Sequence, residues 1–217
     1  MQIKSNIWCE DCLETIISRK FKCDYVFTIP PDFEELGMNP HDSFHKYMHI
    51  LSKVFAVLTM RNPNAITIGI TDRKYKGEII AKHSFIISIM RSHGWLLRYQ
   101  KIWVRRRTID LYRLCYTHVM TFSPNKGTPK TYNDRPFKYD VYDFDVNAYK
   151  KYPYGIASEV VENHVRNFTK KNDIVYDPFM GSGTTALACQ KTNRRYLGSE
   201  IDKETYELCM ERLNDNS

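Results

Sequence analysis

A strand, a loop of small residues and a helix follow one another at residues 173–200, and this segment constrains the fold more than any other. It reads DIVYDPFMGSGTTALACQKTNRRYLGSE, in which the apolar run Asp173–Tyr176 predicts a strand and Thr184–Gln190 predicts a helix. Gly181 and Gly183 lie between them, where glycine lets the backbone turn tightly and approach a ligand closely. The segment therefore predicts a βαβ unit with a ligand site at the carboxyl end of its first strand.

The polar groups around this glycine loop indicate the ligand. A helix that begins at Thr184 offers free N–H groups and the positive end of its dipole, which suit a carboxylate. Asp177 can hold an ammonium group, and Glu200, at the end of the next strand, can bind both hydroxyls of a ribose. S-adenosyl-L-methionine carries all three groups, so we predict it as the cofactor, with Pro178 and Phe179 as further binding residues. The GxxxxGK[ST] pattern of a phosphate-binding P-loop is absent.

Strand-like and helix-like segments alternate along most of the chain. This alternation predicts an α/β, Rossmann-like fold with a mostly parallel sheet and helices on both faces. We expect one domain over residues 1–217, with a loop-rich insert at 123–152. The predicted strands are Ile3–Trp8, Asp24–Thr28, Ala65–Ile70, Leu96–Val104, Leu111–Phe122, Asp173–Tyr176 and Arg195–Gly198. The predicted helices are Leu13–Lys20, Ser43–Met60, Ile79–Ser92, Ser158–Phe168, Thr184–Gln190 and Lys203–Leu213.

Composition narrows the class of protein and of partner. The formal net charge of +7 favours a polyanionic partner, because lysines and arginines that neutralise phosphates release counterions. The sequence shows neither a signal peptide nor a membrane-spanning run, so we expect an intracellular protein without membrane contact. Cys9 and Cys12 form a CxxC pair near Cys23, but no fourth ligand follows closely; we expect reduced thiols and no metal site.

The string DPFMGSGTT followed by YLGSEID resembles the cofactor-binding motif of the DNA amino-methyltransferases, which methylate cytosine N4 or adenine N6. A glycine loop near the C-terminal end and a Pro-Pro loop near the N-terminal end resemble the circularly permuted β-type arrangement of that family. The resemblance implies a class I S-adenosylmethionine-dependent methyltransferase, and it places Asp11 against the cofactor adenine. The Lys-Pro that the family carries before the glycine loop is missing from Tyr152–Ala157.

The family's catalytic loop is a polar residue, two prolines and an aromatic residue, and the corresponding segment here is Ile29-Pro30-Pro31-Asp32-Phe33. Ile29 stands at the polar position and Asp32 at the aromatic one. Our hypothesis is that Asp32 accepts a hydrogen bond from the target amino group and that Phe33 stacks on a base flipped out of the duplex. Pro30 would add its carbonyl as a second acceptor, and Pro31 would stiffen the loop.

The resemblance implies DNA as the partner, either single-stranded or as duplex with a flipped base. Thr28 before the loop favours cytosine N4 slightly over adenine N6. Two other readings stay open: a catalytically inactive nucleic-acid-binding subunit and an RNA methyltransferase. Family members of this arrangement form dimers, so a homodimer or heterodimer is expected.

Basic and aromatic side chains are interleaved around residues 101–151 and predict a short nucleic-acid contact region. A solvated tyrosine-rich loop is the alternative. The residues concerned are Lys101, Arg105, Arg106, Arg107, Arg113, Lys126, Lys130, Tyr132, Arg135, Phe137, Lys138, Tyr139, Tyr142, Tyr149, Lys150 and Lys151.

Overall fold

The computed structural model describes residues 5–104, 114–133, 140–143 and 156–215, and its centre is a mixed sheet. Within those residues the sheet has eight strands in the order β1-β10-β9-β2-β3-β7-β6-β8. Every neighbouring pair is parallel except the two pairs made by β7, which runs antiparallel to β3 and β6. The strands of this sheet are β1 (Asn6–Cys9), β2 (Tyr25–Thr28), β3 (Ala65–Ile70), β6 (Trp95–Val104), β7 (Tyr116–Pro124), β8 (Val141–Tyr142), β9 (Ile174–Asp177) and β10 (Arg195–Glu200).

In the part of the chain that the structure describes, six helices cover the two faces of the sheet, which confirms the predicted α/β class. One apolar cluster lies under α1, α2 and α3 on one face, and two others lie under α4, α5 and α6 on the opposite face. The central strands β2 and β3 are buried along their whole length, as strands covered on both faces must be. The helices are α1 (Cys12–Ser18), α2 (Phe44–Met60), α3 (Lys82–Ser92), α4 (Ser158–Phe168), α5 (Thr184–Thr192) and α6 (Lys203–Asn214).

A small hairpin replaces the start of one predicted helix. The helix expected over Ile79–Ser92 begins only at Lys82, because β5 (Glu78–Ile80) pairs antiparallel with β4 (Arg73–Tyr75). Lys76 and Gly77 join the two strands, and both adopt positive φ angles of 46° and 84°. Two consecutive residues at positive φ make a turn whose twist matches a two-residue hairpin. The apolar residues at the start of the predicted helix therefore belong to a strand.

The region after β3 differs from the prediction in two further ways. The predicted pair of strands is confirmed as the antiparallel neighbours β6 and β7, but β7 begins at Tyr116. The predicted insert contains a strand, β8, which pairs with β6.

Most of the basic and aromatic residues predicted to contact nucleic acid lie outside the described residues: Arg105, Arg106, Arg107, Arg113, Arg135, Phe137, Lys138, Tyr139, Tyr149, Lys150 and Lys151. No helix in the described ranges has both the length and the apolar character needed to span a bilayer.

Candidate active site

A pocket of about 690 Å³ opens at the carboxyl ends of the parallel strands. Parallel α/β sheets bind ligands at this edge, because the loops that leave neighbouring strands diverge there. The pocket brings together most of the predicted site residues: Asp11, Pro30, Pro31, Asp177, Pro178, Phe179, Gly181, Thr184 and Glu200. Asp32, Phe33 and Gly183 do not line it.

The glycine loop depends on backbone angles and on space that only glycine provides. Gly181 and Gly183 have φ angles of 53° and 83°, in the left-handed region. A Cβ added at Gly183 would lie 2.6 Å from Cys209 Sγ of α6, far inside van der Waals contact. Gly183 does not line the pocket. Because it has no side chain, α5 can begin in direct contact with α6, and this contact fixes the position of the loop.

Asp177 ends β9 at the centre of the pocket and is almost completely buried. Its carboxylate accepts hydrogen bonds from Thr28 Oγ1 at 2.8 Å, Thr185 Oγ1 at 2.6 Å and the Phe179 amide at 3.0 Å. Burial nevertheless raises the pKa of Asp177 to about 7, since these neutral donors offset only part of the lost hydration. A cationic ligand beside this carboxyl group would stabilise its ionised form, so this position favours a ligand that carries a positive charge.

Glu200 and Asp11 come from adjacent strand ends, because β10 and β1 are parallel neighbours. Glu200 Oε2 accepts a hydrogen bond from the Gly181 amide at 2.8 Å, and Glu200 Oε1 accepts one from the Asp202 amide at 2.9 Å. Asp11 caps α1 by accepting from the Leu13 amide at 2.7 Å. The backbone thus fixes both carboxylates at the rim of one pocket.

The first turn of α5 is held by an arginine from α6. Arg212 is buried, and its Nη1 donates to the Ser182 carbonyl at 2.9 Å, to Ser182 Oγ at 3.1 Å and to Thr184 Oγ1 at 3.2 Å. These contacts fix the helix end that faces the pocket. From the sequence, Thr28 was interpreted only as an indicator of the target base, and no role was predicted for Thr185, Cys209 and Arg212. For the last two, which lie on a later helix than the loop they contact, no local pattern signals the contact.

The Pro-Pro loop lines the same pocket as Asp177, but Asp32 and Phe33 are not part of the pocket lining. The Phe33 ring has no exposed surface and packs 4.3 Å, centroid to centroid, from the Tyr47 ring. Tyr47 also donates its hydroxyl to the Pro31 carbonyl at 3.0 Å. The expectation that Phe33 stacks on a flipped base does not match this placement, because α2 provides an aromatic slot that buries the ring.

Asp32 is engaged in an ion pair on the side of the loop away from the pocket. Its Oδ1 accepts from Lys82 Nζ at 2.7 Å, its Oδ2 lies 3.8 Å from an Arg73 nitrogen, and Arg73 also pairs with Glu34. Lys82 is only 2% exposed, and burial lowers its pKa despite the Asp32 charge. Asp32 was predicted to accept a hydrogen bond from the substrate amine, and Lys82 already pairs with this carboxylate.

Glu35 is the carboxylate of this loop that lines the pocket, and the sequence reasoning missed it. Its Oε1 accepts a weak hydrogen bond of 3.2 Å from the Asp32 amide. The residue is exposed, but partial desolvation of its carboxyl group raises the pKa of Glu35. Ile29 also lines the pocket and packs against Gly69, where an added Cβ would lie 2.9 Å from Ile29 Cγ1. The pocket wall at this position is thus apolar.

One curated relative matches most of the chain, and others match shorter segments of it. It is 27% identical over 195 residues to the orphan methyltransferase M.BamHII of Bacillus amyloliquefaciens, a match that covers 84% of this chain and 65% of the relative. It is 38% identical over 63 residues to the type II methyltransferase M.BglII of Bacillus subtilis, covering 29% of this chain and 18% of the relative. The chain therefore spans less than two thirds of the length of the curated relatives it matches.

Solved structures share the fold. The TTHA0409 protein of Thermus thermophilus, complexed with S-adenosyl-L-methionine, superposes with a TM-score of 0.80 at 20% identity, over 98% of this chain and 94% of that one. The cytosine-N4-specific PvuII DNA methyltransferase superposes with a TM-score of 0.81 at 17% identity, over 100% of this chain and 89% of that one. Since residues 23–211 also match the N6_N4_Mtase family model, described as DNA methylase, this chain belongs to the DNA methylase family.

Proposed function

We propose that this chain binds S-adenosyl-L-methionine and transfers its methyl group to the exocyclic amino group of a DNA base. The observation that carries the proposal is the convergence of the glycine loop, Glu200, Asp11 and the Pro-Pro loop on one pocket of about 690 Å³. A pocket of this volume suits a nucleoside-sized ligand. When bound, the cofactor supplies a methyl group on a sulfonium, which passes to the base nitrogen as the sulfur–carbon bond breaks and the nitrogen loses a proton.

The residues around the glycine loop fit the three polar groups of this cofactor. Asp177, buried and short of hydration, would hold the ammonium group, and the first turn of α5 at Thr184 would hold the carboxylate. Glu200 would bind the ribose hydroxyls, and Asp11 would face the adenine. The hydrogen bonds from Gly181 and Leu13 hold these two carboxylates in place before any ligand arrives.

The proposed base site lies on the Pro-Pro side of the same pocket. A flipped base costs a few kcal/mol to extract from a duplex, and an enclosed apolar pocket repays part of that cost. Pro30 would offer its carbonyl to the target amino group, and we assign the second acceptor to Glu35 instead of Asp32, because Glu35 lines the pocket. These acceptors would orient the amino nitrogen toward the methyl group, and alignment of this kind supplies most of the rate.

Cytosine N4 is our preferred target over adenine N6, by a narrow margin. Thr28 resembles the cytosine-type motif, and the PvuII enzyme of similar fold is cytosine-N4-specific. The Thr28 hydroxyl, however, is buried and donates to Asp177, so its part in the site would be to position that carboxylate. DNA is the proposed partner, with the insert at 123–152 as a short recognition region and a dimer as the working form.

The deciding experiment combines a cofactor titration with a product assay. Calorimetry with S-adenosyl-L-methionine should give one site in the wild type, and Glu200→Gln should weaken it by about 10- to 100-fold, since a charged hydrogen bond contributes about 1.5–3 kcal/mol. Glu204→Gln, an exposed position on α6, is the matched control and should bind as wild type.

Incubation with duplex DNA, single-stranded DNA or RNA and labelled cofactor, followed by mass spectrometry of the nucleosides, identifies the product. N4-methylcytosine in DNA supports the full proposal, and N6-methyladenine corrects only the target base. Methylation of RNA alone would mean that the substrate is RNA and not DNA. Cofactor binding without any methylated nucleoside indicates a catalytically inactive subunit, and no binding at all overturns the proposal.

A further inference from the structure

Asp72, His83 and His118 form a cluster outside the lining of the candidate active site, in a part of the structure that the proposed reaction does not use. One ligand atom from each residue lies within 4.8 Å of the other two, the one such cluster among the described residues. Asp72 follows the end of β3, His83 lies in the first turn of α3, and His118 stands on β7 opposite Ile70. Three separate elements therefore bring these side chains together.

The two imidazoles compete for one carboxylate oxygen. His83 Nδ1 lies 2.6 Å from Asp72 Oδ2, and His118 Nε2 lies 3.4 Å from the same oxygen. The rings stack with centroids 4.0 Å apart and an interplanar angle of 23°, so both present a nitrogen to the same point. His118 Nε2 is buried and makes no hydrogen bond within the described residues. A buried polar nitrogen that makes no hydrogen bond is uncommon, and an ion bound at this point would satisfy it.

We propose that Asp72, His83 and His118 bind a divalent first-row transition metal, with Zn²⁺ as the first candidate. Two imidazole nitrogens and one carboxylate are a donor set that zinc and its neighbours accept. Bonds of about 2.0–2.1 Å in a tetrahedral site separate ligand atoms by about 3.3 Å. The 3.4 Å between His118 Nε2 and Asp72 Oδ2 already has this length. The shorter contact between His83 Nδ1 and Asp72 Oδ2 would lengthen slightly when His83 Nδ1 loses its proton and binds the ion.

The surroundings of the cluster supply the support that metal ligands require. Gln100 Nε2 lies 3.0 Å from His118 Nδ1. With the amide flipped so that its oxygen takes this place, Gln100 would accept the Nδ1–H of His118 and direct the His118 Nε2 to the ion. The Asp72 carboxylate also accepts from the His83 amide at 3.1 Å, which fixes its orientation. The His83 side chain is 26% exposed, so an ion has a path of entry and a position for water.

The ion would stabilise the Pro-Pro loop through sequence neighbours of its ligands. Arg73 follows Asp72 and Lys82 precedes His83, and both approach the Asp32 carboxylate. A metal that joins β3, β7 and α3 would hold these two cations at a fixed separation. The proposed role of the ion is structural. This proposal does not depend on the identity of the cofactor or of the target base.

The test uses the chelator-stripped full chain and Zn²⁺ alone. Calorimetry should give one Zn²⁺ per chain, and Asp72→Asn and His118→Gln should each weaken it at least tenfold. His49→Gln, an exposed histidine on α2, is the control and should leave binding unchanged. Gln100→Leu should weaken binding about tenfold if its amide orients His118. Equal affinity in the wild type and the Asp72 and His118 variants would overturn the proposal, as would no binding by the wild type.

Cobalt substitution keeps the test decisive if those variants fold poorly. Co²⁺ bound to the wild type at this site should give visible d–d absorption without a sulfur-to-cobalt charge-transfer band, because the three ligands offer only nitrogen and oxygen. His83→Gln, at the most exposed ligand, should lose the spectrum while retaining the far-ultraviolet circular dichroism of the wild type. A sulfur-to-cobalt band would place the metal on a cysteine and reject the assignment.

Discussion

The glycine loop and the Pro-Pro loop leave neighbouring strands, β9 and β2, and face the same pocket, yet they are held in different ways. Several contacts of the glycine loop join residues close in sequence, as Asp177 does with Thr185 and Gly181 with Glu200, and Thr28 and Arg212 add contacts from distant parts of the chain. The Pro-Pro loop is held by Lys82 and Arg73, which lie 40 to 50 residues further along the chain, and by Tyr47. A local motif thus supplies part of the support of the first loop, whereas the second loop is held mainly by distant residues.

The largest effect should come from the glycine loop, where Gly183→Ala combines a positive φ with a steric overlap. We expect the free energy of unfolding to fall by about 3 kcal/mol, from left-handed backbone strain and the contact with Cys209. Gly37→Ala is the matched control, because Gly37 has a φ of 62° with open space around its Cβ position. Chemical denaturation should show a loss of about 1 kcal/mol there; equal losses would mean that Cys209 moves aside without cost.

Lys82→Met tests whether distant contacts control the Pro-Pro loop. Removing the buried ammonium leaves Asp32 without its closest partner, and we expect about 2 kcal/mol of lost stability, less than for a fully buried pair because Asp32 is partly exposed. Methylation turnover should fall at least tenfold while the affinity for S-adenosyl-L-methionine stays within twofold. Kinetics with parallel cofactor titrations measure both, and a matching loss of affinity would show that the two loops are coupled.

Cofactor affinity should depend on pH through Asp177. The pKa of this carboxyl is about 7 because it is buried, and an ammonium ligand favours its ionised form. Below pH 7 the free protein takes up a proton that binding must release, so affinity should fall by up to about tenfold per pH unit. Above pH 7 the Asp177 contribution should level off. Calorimetry from pH 5.5 to 7.5 checks this, and Asp177→Asn should bind weakly with a flat profile.

The smallest effect distinguishes a packing role from a stacking role for Phe33. Because the ring is buried against Tyr47, Phe33→Leu should cost about 1 kcal/mol of stability and leave kcat/KM for DNA within a factor of two to three. A stacking ring would instead lose about 1–3 kcal/mol of base binding on removal. A kcat/KM reduced tenfold or more, at temperatures where the variant remains folded, would restore Phe33 to the base site.

The sequence predicted the fold class and most element positions, and most residues predicted around the glycine loop line one pocket. Ala65–Ile70 and Ser158–Phe168 lie where their apolar spacing placed them, since a buried strand and an amphipathic helix each carry a local pattern. The strand β8 and the β4–β5 hairpin were missed, because strands of two or three residues carry little periodicity.

The Pro-Pro side was less predictable for a related reason. Nothing near Asp32 in sequence indicates that Lys82 approaches it, and nothing near Phe33 indicates the slot formed by Tyr47. The same holds for Asp72, His83 and His118, which are separated by 11 and 35 residues and are brought together by the pairing of β3 with β7 and by the packing of α3 against the sheet. Side-chain roles that depend on such pairings need coordinates.

The pairing of β1 with β10 has a consequence for the order in which the molecule assembles. Asp11 and Glu200, which line one pocket, become neighbours only when strand residues separated by some 190 positions meet. A nascent chain that stops short of residue 195 has no partner for β1, and its apolar strand edges stay open to other molecules. Association of such remote segments is slow. A small molecule that contacts both carboxylates would therefore bind only after β1 and β10 have paired. Its binding would stabilise the assembled state relative to partly folded chains.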